Sequence, residues 1–370
     1  MGVWRSAAAA AAMVCVIACA WPAVARADTV DELRNRGYEQ LKAGKLDAAV
    51  EAFAAALKAS DRDIASHVGL AQAYRALGKL PEATDAYRHA VELNPGSAEI
   101  LIGYGGVLME ASRAAEAVPV LRRAVDLVPM QPGPLLALAD ALARAGRHSE
   151  ALACYERAVG YSPVDPAVHL AFGRYLADRG RGDQAAAEFR AALRVQPDLR
   201  LARLGLIGAL TAANRCDEAV TEANGMLKAA PKDPDARAAL AAAYETMGRR
   251  EDAIREYRAI LAENPGAAVV WGNMGWSQYR AGHLEDAIVS SRKAIELNPG
   301  LAYVRYNLGL FLALQGSWEQ ARKAYEEAAA VGDADDLRAA TEDAREARKG
   351  RPDAAALGQA LKFLEGVRRK

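Results

Sequence analysis

The residues able to do chemistry are few and widely spread. The five histidines are His67, His89, His148, His169 and His283. None forms an i, i+4 pair on one helix and none adjoins a cysteine, so the side chains that usually hold zinc do not converge. Cys154 and Cys216 are expected to be separate packing side chains, because they fall at different points of a repeating pattern. Acidic residues are scattered as solvated faces, with no identifiable carboxylate pair. Gly103-Tyr104-Gly105-Gly106 is glycine-rich. No strand precedes it, however, and close helix approach explains it better than a phosphate loop does. The sequence predicts no catalytic residue, metal or cofactor.

Recognition chemistry is more visible. Only 6% of residues are aromatic, yet "WGNMGWSQYRAG" at 271–282 holds Trp271, Trp276 and Tyr279. Asn273 and Arg280 lie among them, and Tyr303, Tyr306 and Asn307 follow one period later. Aromatic anchors beside amides are typical of interfaces. An Asn amide both donates and accepts, so it can hold a peptide backbone of any sequence.

The period that positions these residues is explicit. Prolines fall at 95, 129, 163, 197, 231, 265 and 299, each 34 residues after the last. With these prolines at position 32, nine units tile residues 30–335 without insertion. Position 20 is alanine in all nine units, from Ala49 to Ala321. Position 8 is Gly or Ala except at Ile207, and position 15 is Gly except at Ser112 and Asn214. Each unit reads as two short helices. Small residues stand where backbones cross, the position 15 Gly ends the first helix in a left-handed cap, and Pro stops the second. Large residues at positions 7, 11 and 24, such as Leu70, Tyr74 and Tyr87, fill the space between them. Helices of about a dozen residues are marginal alone, so stacking must stabilise them.

Residues 66–95, "SHVGLAQAYRALGKLPEATDAYRHAVELNP", resemble a tetratricopeptide (TPR) repeat, with Leu70, Ala71, Tyr74, Gly78, Ala83, Tyr87, Ala90 and Pro95 in the family's places. The resemblance implies an all-α, right-handed TPR superhelix, an α-solenoid whose concave face is made by the first helices. It also implies a non-enzymatic scaffold that binds a protein or peptide. Unit six, 200–233, departs at Ile207, Asn214, Ala223 and Met226, which predicts different packing there. Pro119 is expected to kink the second helix of unit three.

At 100° per residue, positions 4, 7, 8 and 11 share one face, taken as core. Positions 2, 5, 9 and 12 share the groove face. Trp271 then falls on the core side, and Trp276 and Tyr279 on the groove side. Asn35, Asn273 and Asn307, at position 6, resemble the ligand-contacting Asn ladder of some TPR arrays, although the other units have Gly or Ala there. Position 5 reads Val68, Ile102, Leu136, Leu170 and Leu204 in units two to six. This is either an apolar binding strip or packing against the next first helix.

The ends are different. Met1–Ser6 carries one Arg, Ala7–Ala20 is apolar, and Ala25-Arg26-Ala27 fits a small-x-small cleavage site, so residues 1–27 read as an export signal. Val16-Ile17-Ala18-Cys19 also resembles a bacterial lipobox, which would place a lipid on Cys19. Residues 336–370 read as two amphipathic helices split by Gly350-Arg351-Pro352, forming a cap or, with Arg368-Arg369-Lys370, a docking helix. The full chain has 47 basic and 47 acidic residues. That balance gives no footprint for nucleic acid or an anionic membrane.

Leader, repeats and cap account for the sequence and leave no segment for a catalytic domain. The expectation is an exported scaffold or adaptor of the bacterial envelope, periplasmic or anchored as a lipoprotein. An accessory role in a secretion, pilus or polysaccharide and cell-wall assembly complex is the alternative. A cytosolic co-chaperone is the third reading, but only Arg280 and Arg305 supply its basic clamp.

Overall fold

The computed structural model describes residues 28–351 and 353–367. The leader with Cys19, and the basic end Arg368-Arg369-Lys370, lie outside the described residues. Among the described residues all regular structure is helical. The first helices of the nine units are α1 (Val30–Lys42), α3 (Ile64–Ala76), α5 (Ala98–Glu110), α7 (Pro132–Arg144), α9 (Pro166–Asp178), α11 (Arg200–Ala212), α13 (Pro234–Thr246), α15 (Ala268–Ala281) and α17 (Ala302–Leu314). The second helices are α2 (Leu46–Ala59), α4 (Leu80–Leu93), α6 (Ala114–Leu127), α8 (His148–Tyr161), α10 (Gly182–Val195), α12 (Cys216–Ala229), α14 (Arg250–Glu263), α16 (Leu284–Leu297) and α18 (Trp318–Ala329). Two more, α19 (Ala334–Gly350) and α20 (Ala355–Val367), follow. The chain forms two compact units. One runs to Pro129 and includes Ala137–Ala151; the other is Met130–Leu136 with Leu152 onward.

The turn inside every repeat is set at position 15. Gly44, Gly78, Gly146, Gly180, Gly248, Gly282 and Gly316 all have positive φ, and so do Ser112 and Asn214 at 58° and 59°. The next amide closes the first helix by reaching back five residues, as Arg113 N to Leu108 O at 2.8 Å. The two substituted turns therefore keep the backbone that glycine favours, at a steric cost to Ser112 and Asn214. Asp63, Ser97, Asp165 and Asp233 at position 34 accept amide hydrogens from the following first helix as N-caps.

Packing follows a size rule. The alanine at position 20 has no exposed surface in any of the nine repeats. The ring at position 24 presses on glycines of first helices on either side. A Cβ added to Gly37 or Gly69 would meet the Phe53 ring at 2.6 or 2.4 Å. A Cβ on Gly173 or Gly205 would meet Phe189 at 2.9 or 2.6 Å. Repeat six reverses the sizes: Ile207 at position 8 is fully buried where Gly or Ala is usual, and Ala223 at position 24 is also fully buried. The expected difference in packing is this exchange, and α11 and α12 keep the lengths of their counterparts. Helix α6 runs unbroken through Pro119. Cys154 and Cys216 are both buried and no disulfide joins them.

Position 4 is not the simple packing site that its phase implies. Six polar side chains there donate to the carbonyl at position 32 of the preceding repeat. They are His67 to Asp61, His169 to Pro163, Arg203 to Pro197, Arg237 to Pro231, Trp271 to Pro265 and Arg305 to Pro299, at 2.6–3.1 Å. Trp271 is only half-buried, and its indole N–H makes this bond at 2.9 Å. A carbonyl left over where a second helix ends thus receives a donor from the next first helix. His169 also pairs with Glu188 and Arg237 with Glu256, each nineteen residues on.

Candidate recognition site

The C-terminal helices turn the end of the second unit into a site. In repeat nine the groove positions 5, 9 and 12 are Tyr306, Leu310 and Ala313, and all three are buried. They share one core with Leu337, Ala340 and Ala344 of α19 and with Leu357, Ala360, Leu361 and Leu364 of α20. The pair α19–α20 is therefore a cap seated on the groove side of α17. Tyr306, expected as an open groove ring, is a core residue: it is 3% exposed, with its ring 6.3 Å from that of Tyr325. Burial pushes both phenols up in pKa.

One repeat earlier the cover is partial. Trp276 and Tyr279 are half-buried, lying 6.3 and 4.9 Å from the Phe311 ring and 5.3 Å from each other. Helix α19 passes beside them and leaves two cavities. One, of about 480 Å³, is bounded by Trp276, Tyr279, Arg280, Asp343, Glu346 and Arg351 among others. The second, of about 430 Å³, gathers Asn273, Trp276, Tyr303, Tyr306 and Asn307 with Tyr257, Glu245 and Asp343. Five residues singled out from sequence therefore meet in one cavity. Arg280 borders only the first, and Arg305 is held by Glu327 and Pro299 O.

At Gly69, Gly103 and Gly205, position 6 abuts the ring at position 24 of the preceding repeat: Tyr87 stands 2.7 Å from a Cβ built on Gly103. Asn307 follows Ser291 at position 24, whereas Asn273 follows Tyr257. Asn273 is exposed and Asn307 half-buried. An Asn ladder is thus sterically barred at Gly69, Gly103 and Gly205.

The aliphatic strip at position 5 is half-buried at each of Val68, Ile102, Leu136, Leu170 and Leu204. Val68 and Ile102 pack against the core around Tyr87 and Leu101, which favours the packing reading there. Leu204 borders a separate cavity of about 530 Å³ with Ile207, Thr211 and residues of α13.

Sequence reasoning missed Glu245, Tyr257, Asp336 and Asp343. Glu245 was within reach: it is the only acid at position 12 of any repeat, a groove position. Asp336 and Asp343 lie seven residues apart and so share a face of α19, but nothing in the repeat says where that face docks. Burial and Glu342 raise the Asp343 carboxyl above its ordinary pKa, and Arg280 partly offsets this. Burial, with Glu245 and Tyr303 nearby, pushes the Tyr257 phenol up to about 12. Among the described residues no cluster of three metal-ligating side chains exists, and no helix is long and apolar enough to cross a membrane.

Models of the tetratricopeptide repeat match residues 20–185, and again 238–302 and 273–336. The model for the middle TPR-like domain of cilia and flagella-associated protein 70 matches 135–263. Together they follow the hairpins from one end of the array to the other. The chain is a tetratricopeptide repeat protein. A tetratricopeptide repeat protein from Parabacteroides merdae ATCC 43184 shares 19% identity over 76% of this chain and 98% of its own, with a TM-score of 0.53. YrrB, described as a TPR protein with an unusual peptide-binding site, is 22% identical over 46% of this chain and 88% of its own, at 0.39. Yeast Tom70 is 13% identical over 90% and 99%, at 0.48. At 19% identity the likeness of the Parabacteroides merdae protein to this TPR protein is one of fold. No curated protein matches it.

Proposed function

We propose that this TPR protein is a non-enzymatic adaptor of the bacterial cell envelope. In this reading it binds an extended segment of a partner protein along α13, α15 and α17, beside α19. The observation that carries it is the cavity in which Asn273 and Asn307, one repeat apart, stand beside Trp276 and Tyr303. Amides spaced along adjacent first helices suit a peptide backbone, and partly open rings suit its side chains. The envelope assignment is supported by residues 1–27, with their apolar run and small-x-small site.

The test is affinity capture from cells with wild type, Trp276→Ala/Tyr279→Ala and Asn273→Ala/Asn307→Ala, with helicity checked by circular dichroism. The Asn pair serves as the second variant because the two rings also touch the core at Phe311. Loss of the same partners in both folded variants is expected. Identical partners at identical yield would overturn the site. N-terminal sequencing of the mature protein should begin at Asp28 or at a lipidated Cys19; a cytosolic chain starting at Met1 would overturn the envelope assignment.

A further inference from the structure

The cavity around Tyr303 has an unbalanced chemistry. Its walls include three carboxylates, Glu245, Asp336 and Asp343, and no basic residue. They also include the rings of Tyr257, Trp276, Tyr303 and Tyr306. Among the described residues no ion pair engages Glu245 or Asp343. Glu245 Oε1 and Tyr303 Oη are both buried without a hydrogen-bond partner. A buried acceptor left unpaired is destabilising, and more so when charged. Asp336 is partly used, since its carboxylate accepts the Asp333 amide at 3.3 Å. The neighbouring cavity differs: there Arg280 and Arg351 stand among Asp343 and Glu346, so its charge is met from within.

We propose that this cavity takes the side chain of a lysine or arginine from the bound peptide segment. The inference rests on the peptide-binding reading above and adds the charge of the ligand. An ammonium or guanidinium supplies the donors that Glu245 Oε1 and Tyr303 Oη lack. Its aliphatic stem can lie along Trp276 and Tyr257, and the ring faces attract the cation. The amide oxygens of Asn273 and Asn307 add further acceptors. A norleucine-like side chain of the same length would leave the two buried oxygens unpaired, and an acidic one would face three carboxylates.

The test uses the mature full chain, immobilised, and octapeptide pools with degenerate flanks and one fixed central residue: Lys, Arg, norleucine or Glu. Retention of the Lys and Arg pools should exceed that of the norleucine and Glu pools by about tenfold. Glu245→Gln and Asp343→Asn should each cut this preference severalfold while leaving helicity unchanged. Butylammonium should compete with the Lys pool on wild type and less on Asp343→Asn. Equal retention of the Lys and norleucine pools would overturn the cation assignment and leave the peptide reading standing. Retention of none would overturn both, and binding of butylammonium without any pool would overturn the peptide as the source of the cation.

Discussion

Two glycines three residues apart on α11 should respond to the same substitution with opposite signs. A Cβ on Gly205 would lie 2.6 Å from Cζ and 2.7 Å from Cε1 of Phe189, whereas a Cβ on Gly208 meets nothing within 4 Å. Carbon atoms prefer about 3.5–4.0 Å, so the ring would have to retreat by roughly 1 Å. It cannot easily do so: it is 1% exposed, and the Gly173 backbone stands on its other side, where a Cβ would be 2.9 Å away. Overpacking a core costs about 1–3 kcal/mol, and a site pinned on both sides belongs in the upper half of that range. Replacing a helical glycine by alanine returns about 1 kcal/mol. Gly205→Ala should therefore destabilise by about 1–2 kcal/mol, and Gly208→Ala should stabilise by about 1 kcal/mol. At about 2–4 °C per kcal/mol the two melting temperatures should separate by about 5–10 °C. Thermal melts of the full chain, followed by circular dichroism, measure this. Repeat arrays can unfold in stages, so the order of the two variants around wild type is the criterion. If Gly205→Ala melts at or above Gly208→Ala, the ring does not hold the tight position assigned to it.

The other expectations concern the turns, the repeat junctions and the buried carboxyl. Ser112→Gly should stabilise by about 0.5–1 kcal/mol by relieving its left-handed backbone, and Asn214→Gly by less, because Asn tolerates that region; urea titrations of each variant check the sign. His169→Arg should preserve stability, since Arg237 already makes the equivalent bonds to Pro231 O and a glutamate. His169→Leu should cost about 1–2 kcal/mol by leaving the Pro163 carbonyl and Glu188 without their partner. For Asp343 the folded-state pKa is raised, chiefly by burial, from its ordinary 3.8. Its contribution is thus fully present below that value and lost as pH rises through the folded pKa. Asp343→Asn should accordingly be more stable than wild type at pH 7, with the advantage vanishing in acid near the ordinary carboxylate range; an advantage independent of pH would refute burial as the cause.

The repeat was legible because its geometry is written in single residues at fixed spacing. Ala at position 20 and the left-handed turn at position 15 are local demands, and even Ser112 and Asn214 obey the turn. Faces were less legible. Trp271 was assigned to the core by helical phase, yet its indole N–H serves a carbonyl outside its own helix. Tyr306 was assigned to the groove by the same phase and is buried beside α19, whose docking depends on tertiary fit and has no repeat to announce it. The Asn pair was visible, but the steric bar at Gly69, Gly103 and Gly205 was not. That bar comes from a ring at position 24 one repeat earlier, a contact between residues distant in sequence.

The ring at position 24 touches the first helix of its own repeat and that of the next. Cohesion in this chain is thus offset by half a period from the pattern that reveals it. A fragment cut after a position 32 proline ends on a ring with one side bare, whereas one cut after the following first helix ends closed. Boundaries for shortened versions of this protein should therefore fall at the position 15 turns, such as Gly78 or Gly180, rather than at the prolines that mark the repeats.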